Sequence, residues 1–101
     1  MTSRETPREV SQEAPQETQQ QLQRRYRWQC RRGASEVEGV LNAYLDRCFL
    51  NDSAQQQALF GRLLECPDVD MLEWFIGRSE PADQPLRDFV ARMLERVAET
   101  D

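Results

Sequence analysis

The feature that most constrains the fold is the spacing of the apolar residues, which recur at alternating steps of three and one. The longest series consists of Val37, Val40, Leu41, Tyr44, Leu45, Cys48 and Phe49. These residues fall on one face of an α-helix, because a helix completes a turn every ~3.6 residues. The alternating pattern of a half-buried strand occurs nowhere in the chain. The sequence therefore predicts an all-α fold.

Four further helices are predicted from shorter series of the same kind. The first carries Leu22, Tyr26 and Cys30; the third Leu59, Phe60, Leu63 and Leu64; the fourth Met71, Leu72, Phe75 and Ile76; the fifth Leu86, Phe89, Val90, Met93, Leu94 and Val97. Trp74 adjoins Phe75 on the fourth helix, so we expect Phe75 inside and Trp74 exposed. Short polar loops separate the helices, which predicts a compact five-helix bundle over residues 22–101.

Polar residues and glycines mark the predicted helix ends. The expected N-terminal caps are Ser35 with Glu38 and Ser53 with Gln56, both capping boxes, then Asp68 or Asp70, and Asp83. Gly33 and Gly77 stand where a left-handed residue ends a helix. Pro67 disfavours helical geometry in the residue before it, so the third helix should stop at Cys66.

Residues 1–21 differ in composition from the rest of the chain. They consist mainly of Glu, Gln, Thr, Ser and Pro, which bury too little apolar surface to offset the entropy of ordering, so we predict a disordered tail. No apolar run is long enough to span a membrane. The N-terminus has no apolar stretch of the secretory kind and is too acidic for a mitochondrial presequence, which leads us to expect a cytoplasmic protein.

The basic residues are all arginine, since the sequence contains neither lysine nor histidine. This absence argues against a Schiff base, a histidine-activated nucleophile and an imidazole metal site. Cys30, Cys48 and Cys66 lie far apart and are interpreted as small buried apolar residues. We therefore expect no catalytic residue, no bound metal and no enzymatic activity of the chain itself.

Charge is distributed unevenly along the chain. Residues 22–33 contain five arginines and no acidic residue, whereas residues 34–101 contain six arginines and fourteen acidic residues. Such an asymmetry can orient a partner during encounter. Alternatively, the arginines only cover a helix face and form ion pairs with neighbouring carboxylates, which contribute little to stability. The run RYRW, residues 25–28, interleaves base and aromatic and leaves open a small nucleic-acid-binding adaptor as an alternative function. We expect Tyr26 in the core and Trp28 near its rim.

Arg32, Gly33 and Glu36 stand between the first and second helices. They can be read as a contact site, in which Arg32 and Glu36 project toward solvent and the glycine lets another backbone approach. They can equally be read as helix-end residues, with Arg32 complementing the dipole of the first helix and Glu36 that of the second. The residues alone do not separate these interpretations.

Two stretches resemble the SdhE family of FAD assembly factors of succinate dehydrogenase. The first is RRYRWQCRRGASEVEGVL, which contains the family's Arg-Gly-x-x-Glu motif as Arg32, Gly33 and Glu36. The second is FGRLLECPDVDMLEWFIG, followed shortly by PAD. The resemblance covers about Gln23 to Val97, and it implies a five-helix bundle that assists flavinylation of a client protein.

The resemblance also implies the partner and the contact residues. The client would be the flavoprotein subunit of succinate dehydrogenase or fumarate reductase, to which FAD becomes covalently attached on a histidine of the client. The expected client-binding residues are Arg32, Gly33, Glu36, Arg25, Trp28 and Arg31. We expect the helper to be a monomer when free, to hold no FAD stably and to bind no nucleic acid.

Overall fold

The structure, a computed structural model, describes residues 17–99, in which five α-helices are joined by short loops. They are α1 (Gln19–Gln29), α2 (Ser35–Arg47), α3 (Ala54–Leu64), α4 (Asp68–Phe75) and α5 (Gln84–Glu99). A 3-10 turn, Phe49–Asn51, lies between α2 and α3. Residues 17–99 contain no β-strand, so the predicted all-α five-helix bundle is confirmed. None of the described helices combines the length and the apolar character that a membrane crossing needs.

The first helix begins at Gln19, three residues before Leu22, where the bundle was predicted to start. A capping box that the sequence analysis missed explains the earlier start. The hydroxyl of Thr18 accepts a hydrogen bond from the amide of Gln21 at 3.0 Å, and the Gln21 side chain accepts one from the Thr18 amide at 2.9 Å. Most of the predicted disordered tail, residues 1–16, lies outside the described residues.

A cluster of five aromatic rings holds the helices together. It consists of Tyr26, Tyr44, Phe49, Phe60 and Phe89. The centroids of the Tyr44 and Phe60 rings are 4.6 Å apart, and those of Tyr44 and Phe89 are 5.5 Å apart in an edge-on arrangement. Such contacts add to the stabilisation that burial of the rings provides. The cluster contains one ring from α1 and another from α5, so it connects the first and last helices of the bundle.

The two aromatic residues of α1 are divided between the core side and solvent, but Tyr26 is only partly buried and Trp28 lies farther out than the predicted core rim. Tyr26 packs against Phe49 and Phe60 with ring centroids 5.7 and 5.8 Å away. Trp28, two residues later, is 67% exposed. The helix therefore packs one of these aromatic rings, partly buried, against the core and presents the other to solvent.

Two of the three cysteines belong to the core, as predicted. Cys30 and Cys48 are buried, Cys66 is partly exposed, and all three are free thiols. Burial raises the pKa of the Cys30 thiol to about 11, which keeps it neutral at ordinary pH. Within residues 17–99 there is no cluster of histidine, cysteine or acidic side chains that could hold a metal ion.

The fourth helix departs from its predicted inner face. Met71 is fully buried, but Ile76 is 54% exposed because α4 ends at Phe75 and the helical spacing no longer applies beyond it. Trp74 and Phe75 are both partly buried against the core. The expectation that only Phe75 lies inside was therefore wrong.

Two of the four predicted N-terminal caps are confirmed by a side-chain hydrogen bond. Ser53 accepts from the amide of Gln56 at 3.2 Å, and Asp83 accepts from the amide of Leu86 at 3.0 Å. Of the predicted Ser53–Gln56 capping box only the first of these bonds forms, and the Gln56 side-chain oxygen accepts from Arg92 at 2.9 Å instead. Pro67 caps α4 instead of Asp68 or Asp70. A proline there is compatible with the extended backbone of a cap, and it moves Asp68 into the first turn of the helix.

An enclosed carboxylate links the middle of the chain to α5. The side chain of Asp52 is only 4% exposed and lies in the loop after the 3-10 turn. It accepts a hydrogen bond from the Tyr44 hydroxyl at 2.5 Å and two from Arg96, at 2.8 and 3.0 Å. A buried charge is tolerated only with partners of this kind, so the loop and α5 depend on each other for their positions.

Candidate functional site

The chain turns between α1 and α2 at Gly33. This glycine has a φ of +82°, in the left-handed region that other residues adopt only at a cost, so its predicted conformation is confirmed. Its predicted role of ending α1 was wrong, because α1 ends at Gln29 with Cys30 as its cap and Gly33 directly precedes Ala34, the cap of α2. A Cβ added to Gly33 would meet no heavy atom within 4 Å. The space outside the turn is therefore open.

The carboxylate of Glu38 organises the turn from the side of α2. Its Oε2 accepts hydrogen bonds from the amides of Arg32 and Gly33, both at 2.7 Å. These two donors hold the pKa of the Glu38 carboxyl below its usual value. The predicted capping box with Ser35 was wrong, because α2 is capped by Ala34 without a side-chain bond and Glu38 reaches amides that precede the cap.

The side chain of Arg32 faces inward and is only 14% exposed. Its Nε donates to the carbonyl of Gln29 at 2.8 Å, at the end of α1. The remainder of the guanidinium crosses to the end of α3, where Nη1 donates to the carbonyl of Cys66 at 3.2 Å and Nη2 donates to that of Leu64. Nη1 also lies 3.0 Å from Oδ1 of Asp68. The expectation that Arg32 projects toward solvent was therefore wrong.

These contacts follow from the charge distribution at a helix end. The last carbonyls of a helix lack partners within the helix and carry partial negative charge, so a cation is stabilised beside them. Arg32 serves α1 and α3 at once, because its planar fork can donate in several directions. The helix-end interpretation of Arg32 thus holds for its geometry, but its carbonyl partners belong mainly to a helix other than the predicted one.

Four residues around the turn are directed outward, and we call them the turn surface: Trp28, Arg31, Gly33 and Glu36. All four are exposed. The guanidinium carbon of Arg31 lies 5.1 Å from the centre of the Trp28 ring, a cation–π contact that orders both side chains. Glu36 follows in the first turn of α2. The turn surface therefore combines an aromatic ring, a cation, bare backbone and a carboxylate.

Arg25, the remaining predicted contact residue, is engaged by its own chain. It forms a two-pronged ion pair with Glu17, with both N–O distances at 3.0 Å. Its guanidinium carbon also lies 5.2 Å from the centre of the Tyr26 ring. The structure thus brings Trp28, Arg31, Gly33 and Glu36 to one surface, directs Arg32 inward and pairs Arg25 with the residues preceding α1.

Carboxylates of the same chain also offset another charge of the basic segment. Arg27 donates to Asn42 at 2.8 Å and to Asp46 at 2.5 Å. The pairing of Arg25 and Arg27 leaves less unbalanced positive charge on α1 than the sequence indicates. A phosphate backbone would have to compete with these carboxylates, which weakens the basis of the nucleic-acid alternative.

A comparison with protein families identifies the family of this chain. A family model described as flavinator of succinate dehydrogenase matches residues 24–97. The match begins inside α1, ends inside α5 and includes the whole turn surface. The chain belongs to this flavinator family.

Individual members of the flavinator family are similar over the same range. FAD assembly factor SdhE of Idiomarina loihiensis is 38% identical over 74 residues, which is 73% of this chain and 82% of that protein. The proteins of the same name from Pseudomonas aeruginosa and Shewanella oneidensis are 40% and 35% identical, over 88% and 90% of their lengths and 73% of this chain. The predicted family is confirmed, and the names describe assembly factors rather than enzymes.

Two residues shape the flavinator turn in roles that were not predicted from the sequence. Glu38 was noticed, but it was paired with Ser35 instead of the amides of Arg32 and Gly33. Asp68 was predicted only as a helix cap, although it is an ion-pair partner of Arg32. A local spacing rule could have found the partners of Glu38, but no rule of this kind connects residues as far apart as Arg32 and Asp68.

Proposed function

We propose that this chain binds the flavoprotein subunit of succinate dehydrogenase through the turn surface and promotes covalent attachment of FAD to that subunit. Fumarate reductase, whose flavoprotein we take to be a related client, is a second candidate partner. The observation that carries the proposal is that a member of the flavinator family presents Trp28, Arg31, Gly33 and Glu36 together on an exposed turn.

The chemistry of the turn surface is suited to protein recognition. Tryptophan and arginine are enriched among the residues that dominate binding energies at interfaces. The stacking of Arg31 on Trp28 reduces the freedom that either side chain would lose on binding. Gly33 has no side chain to keep a client backbone away, and Glu36 can accept hydrogen bonds from client N–H groups or pair with a client cation.

The helper acts by positioning and contributes no reacting group. The chain contains no histidine, so the histidine that receives the flavin belongs to the client. Binding of the helper stabilises the client conformation in which this histidine and the flavin lie in reactive geometry, which lowers the entropic part of the barrier. The FAD stays with the client throughout, and the helper holds none stably.

The first experiment measures covalent flavin in the client. The flavoprotein subunit from the same organism is produced with and without this chain, and flavin fluorescence is measured in the denatured client band. Denaturation removes FAD that is not covalently attached. A rise in fluorescence with the helper supports the proposal, whereas equal signals in the presence of folded helper would contradict it.

Variants of the turn surface test the site. We expect Trp28→Ala and Glu36→Gln each to lower flavinylation at limiting helper by about tenfold, because central interface residues contribute roughly 1–2 kcal/mol or more. Leu50→Ala, another exposed apolar residue, and Glu95→Gln, another exposed acid, are the matched controls and should behave like the unmodified chain. Unchanged flavinylation in the turn variants would remove the turn surface from the proposal.

Arg32→Ala is a poor probe of direct contact. The side chain supports the ends of α1 and α3 from inside, so its removal is expected to lower the free energy of unfolding by about 2 kcal/mol. A loss of flavinylation in this variant would report on the fold as well as on the client.

A further inference from the structure

We infer that Asp68, in the first turn of α4, is a positioning residue that holds the turn surface in its binding geometry by anchoring Arg32. This inference rests on the proposed function, since it concerns how the client-binding surface is kept in place. Asp68 lies outside the Arg-Gly-x-x-Glu motif, 36 residues along the chain from Arg32.

Arg32 is held at both ends. Its backbone amide donates to Glu38 at 2.7 Å, on the side of α2. Its guanidinium lies against Asp68, with Nη1 at 3.0 Å from Oδ1, on the side of α4. Arg32 therefore contacts two carboxylates on different helices, one through its backbone amide and one through its guanidinium. The position of the backbone at Arg32 and Gly33 depends on both of them.

The turn surface is attached directly to this anchored residue. Arg31 precedes Arg32, Gly33 follows it, and the amide of Gly33 shares the Glu38 oxygen that accepts from the Arg32 amide. Without the ion pair to α4, the guanidinium would keep its three carbonyl acceptors but lose its only carboxylate among the described contacts, and the chain on both sides of Arg32 would gain freedom. The client would then have to order the turn on binding, which costs affinity.

Asp68 can be altered with little consequence for α4 itself. The N-terminal cap of that helix is Pro67, and no side chain forms a cap hydrogen bond there. The Asp68 carboxylate is 37% exposed and the Arg32 side chain 14%, so the neutral amide analogue leaves the guanidinium charge to its backbone carbonyl partners. Arg32 retains its carbonyl partners at the ends of α1 and α3 in such a variant, which preserves the packing.

The test compares Asp68→Asn with Asp70→Asn. Both substitutions remove one negative charge from the first turn of α4, so they change the helix dipole interaction and the net charge alike. Asp70 is exposed and serves as the matched control. The measurements are the helper concentration that gives half-maximal client flavinylation, the maximal yield, the thermal midpoint, and hydrogen exchange at the amides of Arg32 and Gly33.

We expect Asp68→Asn to raise the half-maximal helper concentration by about fivefold relative to Asp70→Asn, the size of effect that loss of a partly screened ion pair has on an equilibrium. Maximal yield and thermal midpoint should match those of the control. Exchange at the Arg32 and Gly33 amides should accelerate in the free helper, and Asp68→Glu, which keeps the charge, should recover most of the affinity. If Asp68 had a merely structural role, Asp68→Asn would lower the thermal midpoint, and the half-maximal helper concentration would not rise at unchanged maximal yield.

Two outcomes would overturn the inference. Amide exchange equal to that of Asp70→Asn would mean that Asp68 does not order the turn, whatever happens to the client. Faster exchange with an unchanged half-maximal concentration would mean that turn order does not matter for binding. If the unmodified helper does not raise flavinylation at all, the proposed function fails first, and the exchange measurement still decides whether Asp68 holds the turn.

Discussion

At Arg32 a single side chain spans the ends of two helices and pairs with a carboxylate of a third. The residue type and its place after α1 could be read from the sequence, and both indicated a helix-end or interface role. Its direction could not be read, because its partners Leu64, Cys66 and Asp68 follow more than thirty residues later. Local spacing carries no information about which distant carbonyl lies within reach.

The left-handed backbone of Gly33 was predictable because it is a local property of a tight turn, although Gly33 lies three residues beyond Cys30, the cap that ends α1. We expect Gly33→Ala to lower the free energy of unfolding by about 1 kcal/mol, because an alanine at positive φ is strained. No steric clash contributes, as the space around the Cβ position is open. Denaturation by urea measures the change.

Gly39 provides the comparison for this prediction. It lies inside α2, and a Cβ there also meets nothing within 4 Å. Gly39→Ala should therefore raise the free energy of unfolding by about 0.5–1 kcal/mol through helix propensity. Changes of the same sign in the two variants would contradict the assignment of strain to Gly33.

At the scale of helices, the contact between α1 and α3 depends on the absence of a side chain at Gly61. A Cβ built on Gly61 would lie 2.4 Å from the Tyr26 hydroxyl oxygen, and the Tyr26 ring is itself packed against Phe49 and Phe60. We expect Gly61→Ala to lower the free energy of unfolding by about 1–2 kcal/mol despite the better helix propensity of alanine.

Combining Gly61→Ala with Tyr26→Phe tests whether the contact with the Tyr26 hydroxyl causes the destabilisation. Removing the hydroxyl removes the closest contact, so part of the stability lost in Gly61→Ala should return in the double variant. Urea denaturation of both single variants and the double variant provides the cycle. Strictly additive losses would mean that the clash is not the source of the destabilisation.

The helices were predictable where their apolar series is long, and their ends were less so. The face of α2 that carries Val37, Leu41, Tyr44 and Leu45 is buried as its spacing predicts. The start of α2 was assigned to the wrong cap, because the Ser35–Glu38 pattern also fits a carboxylate that binds the preceding turn. Ile76 was assigned to the core because periodicity alone does not reveal that α4 stops one residue earlier.

At the scale of the whole molecule, the contrast between a basic segment and an acidic body was visible in the sequence. The effective strength of this contrast was not visible, because Arg25 and Arg27 form ion pairs with Glu17 and Asp46. Ion pairs between side chains from distant parts of the chain change the field that a partner meets, and composition does not record them.

The contact between Tyr44 and Asp52 makes the free energy of unfolding decrease at alkaline pH. Burial, together with the hydrogen bond to Asp52, raises the pKa of the Tyr44 hydroxyl above its ordinary value of 10.0. A folded-state pKa above the unfolded one means that the contribution is complete below about pH 10 and declines as the pH rises. We therefore expect the free energy of unfolding to fall between about pH 10 and 12.

The variant Tyr44→Phe isolates this contribution. It lacks the titrating hydroxyl, so its stability should be lower at neutral pH but should fall less steeply above about pH 10. Urea denaturation at a series of pH values supplies both curves. Parallel curves for the two proteins would show that Tyr44 does not titrate on unfolding.

The reach of Arg32 also bears on the order in which the protein folds. The carbonyls of Leu64 and Cys66 become available only when α3 has formed and packed, and closing so long a loop is slow compared with forming a single helix. A chain shortened before residue 64 would contain every residue of the turn surface but lack the groups that anchor it. Client recognition through this turn would therefore select helper molecules that have completed folding over incomplete or misfolded ones.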